Sequence, residues 1–194
     1  MGTVAGVSAA VPIAIRRSMT RLYIDADACP VTREALAVAR ELRISCVIAG
    51  NSTQNLERSV RATDPREPRD PRHPDRGFWV RVLQVGVGAD SADFAIVSNL
   101  TPNDVVVTQD IGLADMVLGR GARAIGVRGR VYNPLTIDSL MLIRHEEKKV
   151  RRAGVRTKGP AAFTSEDRAR FRTNLRRLLK APRDGQTTAT SPNE

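Results

Sequence analysis

Residues 22–30 read LYIDADACP, an apolar run that stops abruptly at two carboxylates one residue apart. Successive side chains of a strand face opposite sides, so a strand carried through this stretch would turn Asp25 and Asp27 the same way at its buried end. Pro30 follows where the chain would turn into the first positions of a helix. Two neighbouring carboxylates repel and are costly to desolvate together, so the pair favours a cation beside it. Mg²⁺ or Mn²⁺ suits hard carboxylate oxygens. A helix cap is the competing use of either Asp and needs no metal.

The following residues repeat the strand and helix alternation. Ala35, Val38, Ala39 and Leu42 recur at helical spacing, which predicts a helix that buries one stripe and exposes Arg33, Glu34, Arg40 and Glu41. The run ISCVIAG is short, β-branched and closed by Gly50, a second buried strand. Strand, helix and strand in this order imply a parallel sheet. Residues 78–86, FWVRVLQVG, read as a third strand. Asp90 and Asp93 bracket the start of a helix carrying Ala92, Ile96 and Leu100. Val105 to Val107 make a buried strand, and Asp110 opens a helix that stops near Gly119 or Gly121. ARAIGVRGR is expected to be the last strand, followed by a long helix from Pro134 and a final one over SEDRARFRTNLRRLLK. Phe171, Leu175, Leu178 and Leu179 form the buried stripe of that last helix.

The chain of 194 residues, with 41% hydrophobic content, fits a single α/β domain over residues 20–180. Residues 1–19 read as a disordered N-terminal extension, with Met19 an alternative start, and residues 181–194 as a disordered tail. Residues 51–77 form a Pro-rich insertion loop in which Pro65, Pro68, Pro71 and Pro74 punctuate a charged segment. The apolar stretch at the start precedes Arg16 and Arg17 and is too short to span a bilayer, so neither a leader nor a membrane partner is expected. Cys29 and Cys46 show no metal-binding spacing, which points to a reducing cytoplasm. A formal charge of +10 with only 4% aromatic residues favours phosphate-bearing partners, contacted with little base stacking. Nothing in the sequence indicates an oligomeric state.

Three segments thus bring acids to the carboxyl end of a parallel strand or the helix that begins there: Asp25 with Asp27, Asp90 with Asp93, and Asp110. Open α/β sheets bind ligands at that edge. One Asp at a helix start is a cap; five from three loops are hard to account for as caps, and they suggest a shared divalent-metal site.

These residues also carry a resemblance. YIDADACPV, GADSADFAIV, DVVVTQDIGLA, the RGRVY turn and GPAAFTSEDRARF resemble, in the same order, the YaiI/YqxD family of uncharacterised bacterial proteins. The resemblance implies a PIN-like fold, a Rossmann-like parallel sheet flanked by helices. It is the fold of metal-dependent ribonucleases in which acids at strand ends hold Mg²⁺ or Mn²⁺, although no demonstrated reaction comes with it. Asp25, Asp27, Asp90, Asp93 and Asp110 occupy matching motif positions. Gly112 stands where the family usually has proline, Asp115 where a small residue is expected, and the Pro-rich insertion is a departure.

Carboxylate-held metals can hydrolyse phosphodiesters without a Cys, His or Ser nucleophile, and this chain offers none with a clear partner. Asp25, Asp90, Asp93 and Asp110 are the expected ligands, with Asp27 beside them. Arg151, Arg152, Lys158, Arg176 and Arg177, in the basic C-terminal region, are candidate contacts to nucleic acid, foremost RNA; a solvated charged face is the bland reading of the same residues. Two other classes compete with a ribonuclease-like enzyme. A non-catalytic nucleic-acid-binding protein would use the basic helices and leave the acids structural. A haloacid-dehalogenase-type phosphatase also begins with Asp-x-Asp, but it needs a lysine before its last acidic motif, and the first lysine here is Lys148, after all five acids.

Overall fold

The computed structural model describes residues 20–26, 29–51, 56, 78–85, 91–152 and 161–181. Within these residues the elements run β1 (Leu22–Asp25), α1 (Thr32–Leu42), β2 (Cys46–Asn51), β3 (Val80–Val85), α2 (Ser91–Asn99), β4 (Val105–Val107), α3 (Ile111–Gly119), β5 (Arg123–Ile125), α4 (Pro134–Arg152) and α5 (Ser165–Lys180). The expectations for residues 1–19, for residues 182–194 and for almost all of the Pro-rich insertion lie outside the described residues.

All neighbouring strands pair in parallel, in the order β3-β2-β1-β4-β5. The chain winds outward from β1 to β3, then returns across the sheet to lay β4 on the other side of β1. That reversal makes the seam between β1 and β4 a topological switch point, with α1 and α3 on opposite faces of the sheet; open α/β sheets bind ligands at the carboxyl ends of strands at such a point.

Alternation along each strand divides the core into two layers. Leu22 and Ile24 of β1, with Val105 and Val107 of β4, pack with Val38 of α1 and Phe171, Leu175 and Leu179 of α5. Tyr23 and Val106 face the other way, onto Ile96 of α2, Leu113 and Val117 of α3 and Ile137 of α4. The sheet is therefore covered on both faces, which suits short strands that are apolar on both sides.

The expected stripes of α1 and α5 are those that pack inward, with Leu42 and Leu178 only half-buried. Glu34 and Arg40 differ from their expected exposure and are half-buried, Glu34 beside the docked α5 and Arg40 against Phe78. Glu34 accepts an ion pair from Arg168 at 2.7 Å, and the Arg40 guanidinium lies 5.5 Å from the centre of the Phe78 ring. The last strand is also shorter than its apolar run suggests. The backbone turns back after Ile125, with Gly129 at φ +84°, and Val131 forms an antiparallel bridge to Ile125. No helix among the described residues is long and apolar enough to cross a membrane.

Candidate functional site

Strand alternation places the first component. Tyr23 faces the α2, α3 and α4 layer and Ile24 the opposite one, so Asp25, the last residue of β1, turns toward the α2, α3 and α4 side. In β4 the same counting turns Thr108 to that side, next after Val107. The register pairs Ile24 with Val107, which brings Asp25 and Thr108 opposite one another across the switch point. The Thr108 hydroxyl accordingly donates to Asp25 Oδ2 at 2.7 Å. Both residues are buried, at 6% and 1% relative exposure, so the carboxylate needs such donors.

The same hydroxyl accepts from the Asp110 backbone N–H at 2.9 Å. Thr108 thereby links the end of β1 to the start of α3. Asp110 is the N-cap of α3: its Oδ1 accepts from the N–H groups of Gly112 at 2.7 Å and Leu113 at 3.4 Å. The capping use is thus real for Asp110, and it is only part of what the side chain does. Arg144 of α4 reaches it with both guanidinium nitrogens, Nη1 to Oδ1 at 2.9 Å and Nη2 to Oδ2 at 3.2 Å. Burial alone would raise the Asp110 carboxyl, but hydrogen bonds from Arg144 and Gly112 and the charge of Arg144 outweigh it and hold it below the usual carboxylate value. The Arg144 guanidinium is correspondingly raised, first by its hydrogen bond to Asp110. Tyr132 lines the same corner, half-buried, its hydroxyl 3.5 Å from the Thr108 carbonyl oxygen. Its phenol is raised by burial, with the Asp110 charge adding to the effect.

The other expected site residues divide as follows. Asp93 lies in the first turn of α2, which begins beyond β3 at the same carboxyl edge of the sheet. Asp27 and Asp90 lie outside the described residues. β1 ends at Asp25, and Ala26 already belongs to a tight turn. Among the described residues no three or more His, Cys, Asp or Glu side chains gather into a group able to hold a metal ion. Two oxygen-donor carboxylates at one edge nonetheless match the way Mg²⁺ binds, through one or two carboxylates while keeping several waters.

Among the basic residues, Arg177 is exposed. Arg176 is held by Glu41 of α1, Nε to Oε1 at 2.9 Å and Nη2 to Oε2 at 2.6 Å. Arg151 and Arg152 end α4, and Lys158 lies outside the described residues. The Cys29 thiol is pushed up by burial, with the charges of Asp25 and Glu34 adding to the effect. That rules against a thiolate nucleophile beside the acids.

Two further acids turn out to be structural. Asp104 is fully buried before β4, at the opposite edge of the sheet, and accepts from the N–H of Arg21 and from the N–H and hydroxyl of Thr101. Asp167 forms a capping box with Thr164 at the start of α5 and pairs with Arg128 and Arg170. Arg128 also donates to the carbonyls of Ala161 and Ala162 and lies 5.4 Å from the centre of the Phe163 ring. The RGRVY turn and the GPAAFTSEDRARF segment are thus two halves of one clamp that docks α5. Arg168 extends it to the acidic loop by donating to the Pro30 carbonyl at 3.1 Å.

Sequence reading had not singled out Thr108, Arg144 or Tyr132. Thr108 carried a usable signal, since it follows VVV at a strand end and shares by alternation the face of Val106. Arg144 carried none, because it meets Asp110 from a helix 34 residues further along the chain.

Residues 69–181 match the family described as "Uncharacterized BCR, YaiI/YqxD family". A UPF0178 protein of Clostridium acetobutylicum is 37% identical over 161 residues, covering 82% of this chain and 96% of the relative. Others from Exiguobacterium sibiricum and Vibrio parahaemolyticus are each 35% identical, covering 84% and 82% of this chain and 99% and 97% of their own lengths. No solved structure matches the chain.

Proposed function

Starting from the fact that the chain belongs to the YaiI/YqxD family, we propose that it is a PIN-like, Mg²⁺- or Mn²⁺-dependent nuclease that hydrolyses phosphodiester bonds of single-stranded RNA. The observation that supports this reading best is the join at the switch point. Asp25 at the end of β1 and Asp110 at the start of α3 are tied through Thr108 at the sheet edge where α/β folds place their ligands.

Asp25 and Asp110 would be the principal ligands, with Asp27, Asp90 and Asp93 completing the sphere directly or through water. A bound divalent cation supplies Lewis acidity toward the phosphodiester and lowers the pKa of an attacking water. Thr108 holds the Asp25 carboxylate in place, and the cap at α3 does the same for Asp110. The exposed Arg177, and Arg151, Arg152 and Lys158 in the same basic region, would contact the phosphate backbone. The protein would act where its metal and RNA are both at hand, in the cytoplasm.

Binding and cleavage of a single-stranded RNA, measured side by side, test this reading. Asp25→Asn and Asp110→Asn should bind RNA at least as well as the wild type, since each removes negative charge near phosphate, and should lose Mn²⁺-dependent cleavage. Wild-type protein that binds RNA while its trace cleavage persists undiminished in both variants would instead be a binding protein with a contaminating nuclease. Its acids would then be structural.

A further inference from the structure

Arg144 is paired with Asp110, one of the two principal acids of the proposed site. We propose that it is a phosphate-binding residue held in reserve: Asp110 carries it while no divalent cation is bound, and a cation that takes the Asp110 carboxylate releases it onto a phosphate of the nucleic acid. This inference rests on the nuclease reading above.

The geometry that points to it begins with the two oxygens of Asp110. Oδ1 is engaged by the α3 cap through Gly112 and Leu113 and by Arg144 Nη1 at 2.9 Å, whereas Oδ2 accepts only from Arg144 Nη2, at 3.2 Å. A cation arriving at Oδ2 therefore displaces Nη2, and its charge repels the guanidinium from the remaining bond at Oδ1 while the helix cap stays intact. The pair is also easy to open. Its side chains are 47% and 39% exposed, and ion pairs with that much solvent are weak. By contrast, Thr108 reaches Asp25 in the buried interior, where solvent does not weaken the bond.

The position of Arg144 confines where it goes once released. Its helix is fixed to α3 through the buried Ile137 and the half-buried Leu140, so the guanidinium moves by side-chain rotation over the same edge of the sheet. A guanidinium freed from a carboxylate retains its planar fork of donors, which fits phosphate oxygens as well as it fitted Asp110. A divalent cation and the guanidinium repel one another at a shared carboxylate, and a bridging phosphate relieves that repulsion. Metal and phosphate would therefore bind with positive coupling, and Arg144 would carry part of it.

The full chain, as wild type and with Arg144→Gln or Arg144→Lys, provides the test. Mn²⁺ affinity is measured by calorimetry with the metal alone. The affinity for a hydrolysis-resistant phosphorothioate oligouridylate is measured by fluorescence anisotropy with and without saturating Mn²⁺. Arg144→Gln should bind Mn²⁺ about two- to fivefold more tightly, the range expected for loss of a half-exposed ion pair. It should also lose part of the Mn²⁺-induced tightening toward the oligonucleotide, with Arg144→Lys falling between Gln and wild type. If wild type binds Mn²⁺ but Arg144→Gln binds it no more tightly, or retains the full tightening toward RNA, Arg144 is a structural tie between α3 and α4 and the reserve role is wrong. Wild type that binds no Mn²⁺ at all would overturn this inference and the nuclease reading together.

Discussion

Thr108 and Asp25 are 83 residues apart in sequence, yet the Thr108 hydroxyl donates to Asp25 Oδ2 at 2.7 Å across the seam between β1 and β4. One side chain thus connects the buried Asp25 to the helix start carrying the half-exposed Asp110. Thr108→Val keeps the shape and removes the donor, so it should destabilise the fold by about 1–2 kcal/mol through the poorly satisfied buried carboxylate. Thr108→Ser should recover most of the loss. Urea unfolding midpoints with an unchanged slope would measure both; equal stability of Val and wild type would mean the bond contributes nothing.

Asp110 should contribute to the acid sensitivity of the fold. Its carboxyl is lowered in the fold, so its contribution to stability is fully present above the unfolded value, about 3.9, and is lost as pH falls through the folded value. Arg144→Gln should bring that carboxyl back toward its ordinary value. Near neutral pH it should cost about 0.5 kcal/mol, a figure already reduced for solvent screening of a half-exposed pair. The stability curves of variant and wild type should converge at low pH, where Asp110 is protonated in both. Carboxyl-carbon NMR titration of Asp110 would read the shift directly.

Two glycines offer opposite outcomes. Gly129 sits at φ +84°, and an added Cβ would lie 2.9 Å from the backbone of Arg170 and Phe171. Gly129→Ala therefore combines a left-handed alanine, costing about 1–2 kcal/mol, with a clash that pushes α5 off the sheet. At Gly119, in the last turn of α3, an added Cβ meets nothing within 4 Å. Gly119→Ala should be neutral or stabilising by up to about 1 kcal/mol. Thermal melts of the two variants should move in different directions.

The two adjacent arginines of α5 should contribute unequally to RNA binding. Arg176 is committed to Glu41 through two hydrogen bonds, whereas Arg177 is exposed. Arg177→Gln should weaken oligouridylate binding and reduce the salt dependence by about 0.7 in the log-log slope, one phosphate contact on a single strand. Arg176→Gln should have the smaller effect on that slope. An equal reduction from both would mean that Glu41 releases Arg176 when RNA binds.

The strands and the helices were legible because each leaves a local trace. β1 and β4 are apolar runs ended by an acid or a Thr, and Phe171, Leu175 and Leu179 recur at helical spacing. The end of β5 was hidden, since AIGVRG continues the apolar pattern while Gly129 reverses the backbone. The charged contacts were hidden for a different reason. Arg144 with Asp110, Arg168 with Glu34 and Arg128 with Asp167 each join residues far apart in the chain, and no periodicity encodes which Arg finds which acid. Their sequence signature was only a surplus of arginine, read correctly as charge but not as architecture.

The layer beneath α5 has a consequence for how the protein is made. Leu22 and Ile24 lie in one cluster with Phe171, Leu175 and Leu179, so the first strand and the last helix complete the same core. Contacts of such long sequence separation are slow to form. On the ribosome, β1 emerges early with its α5-facing side uncovered and stays so until the final turns of α5 have left the exit tunnel. Completion of this layer is therefore postponed until α5 has been made, and a chain broken off before residue 171 would leave that apolar surface bare to aggregation and proteolysis.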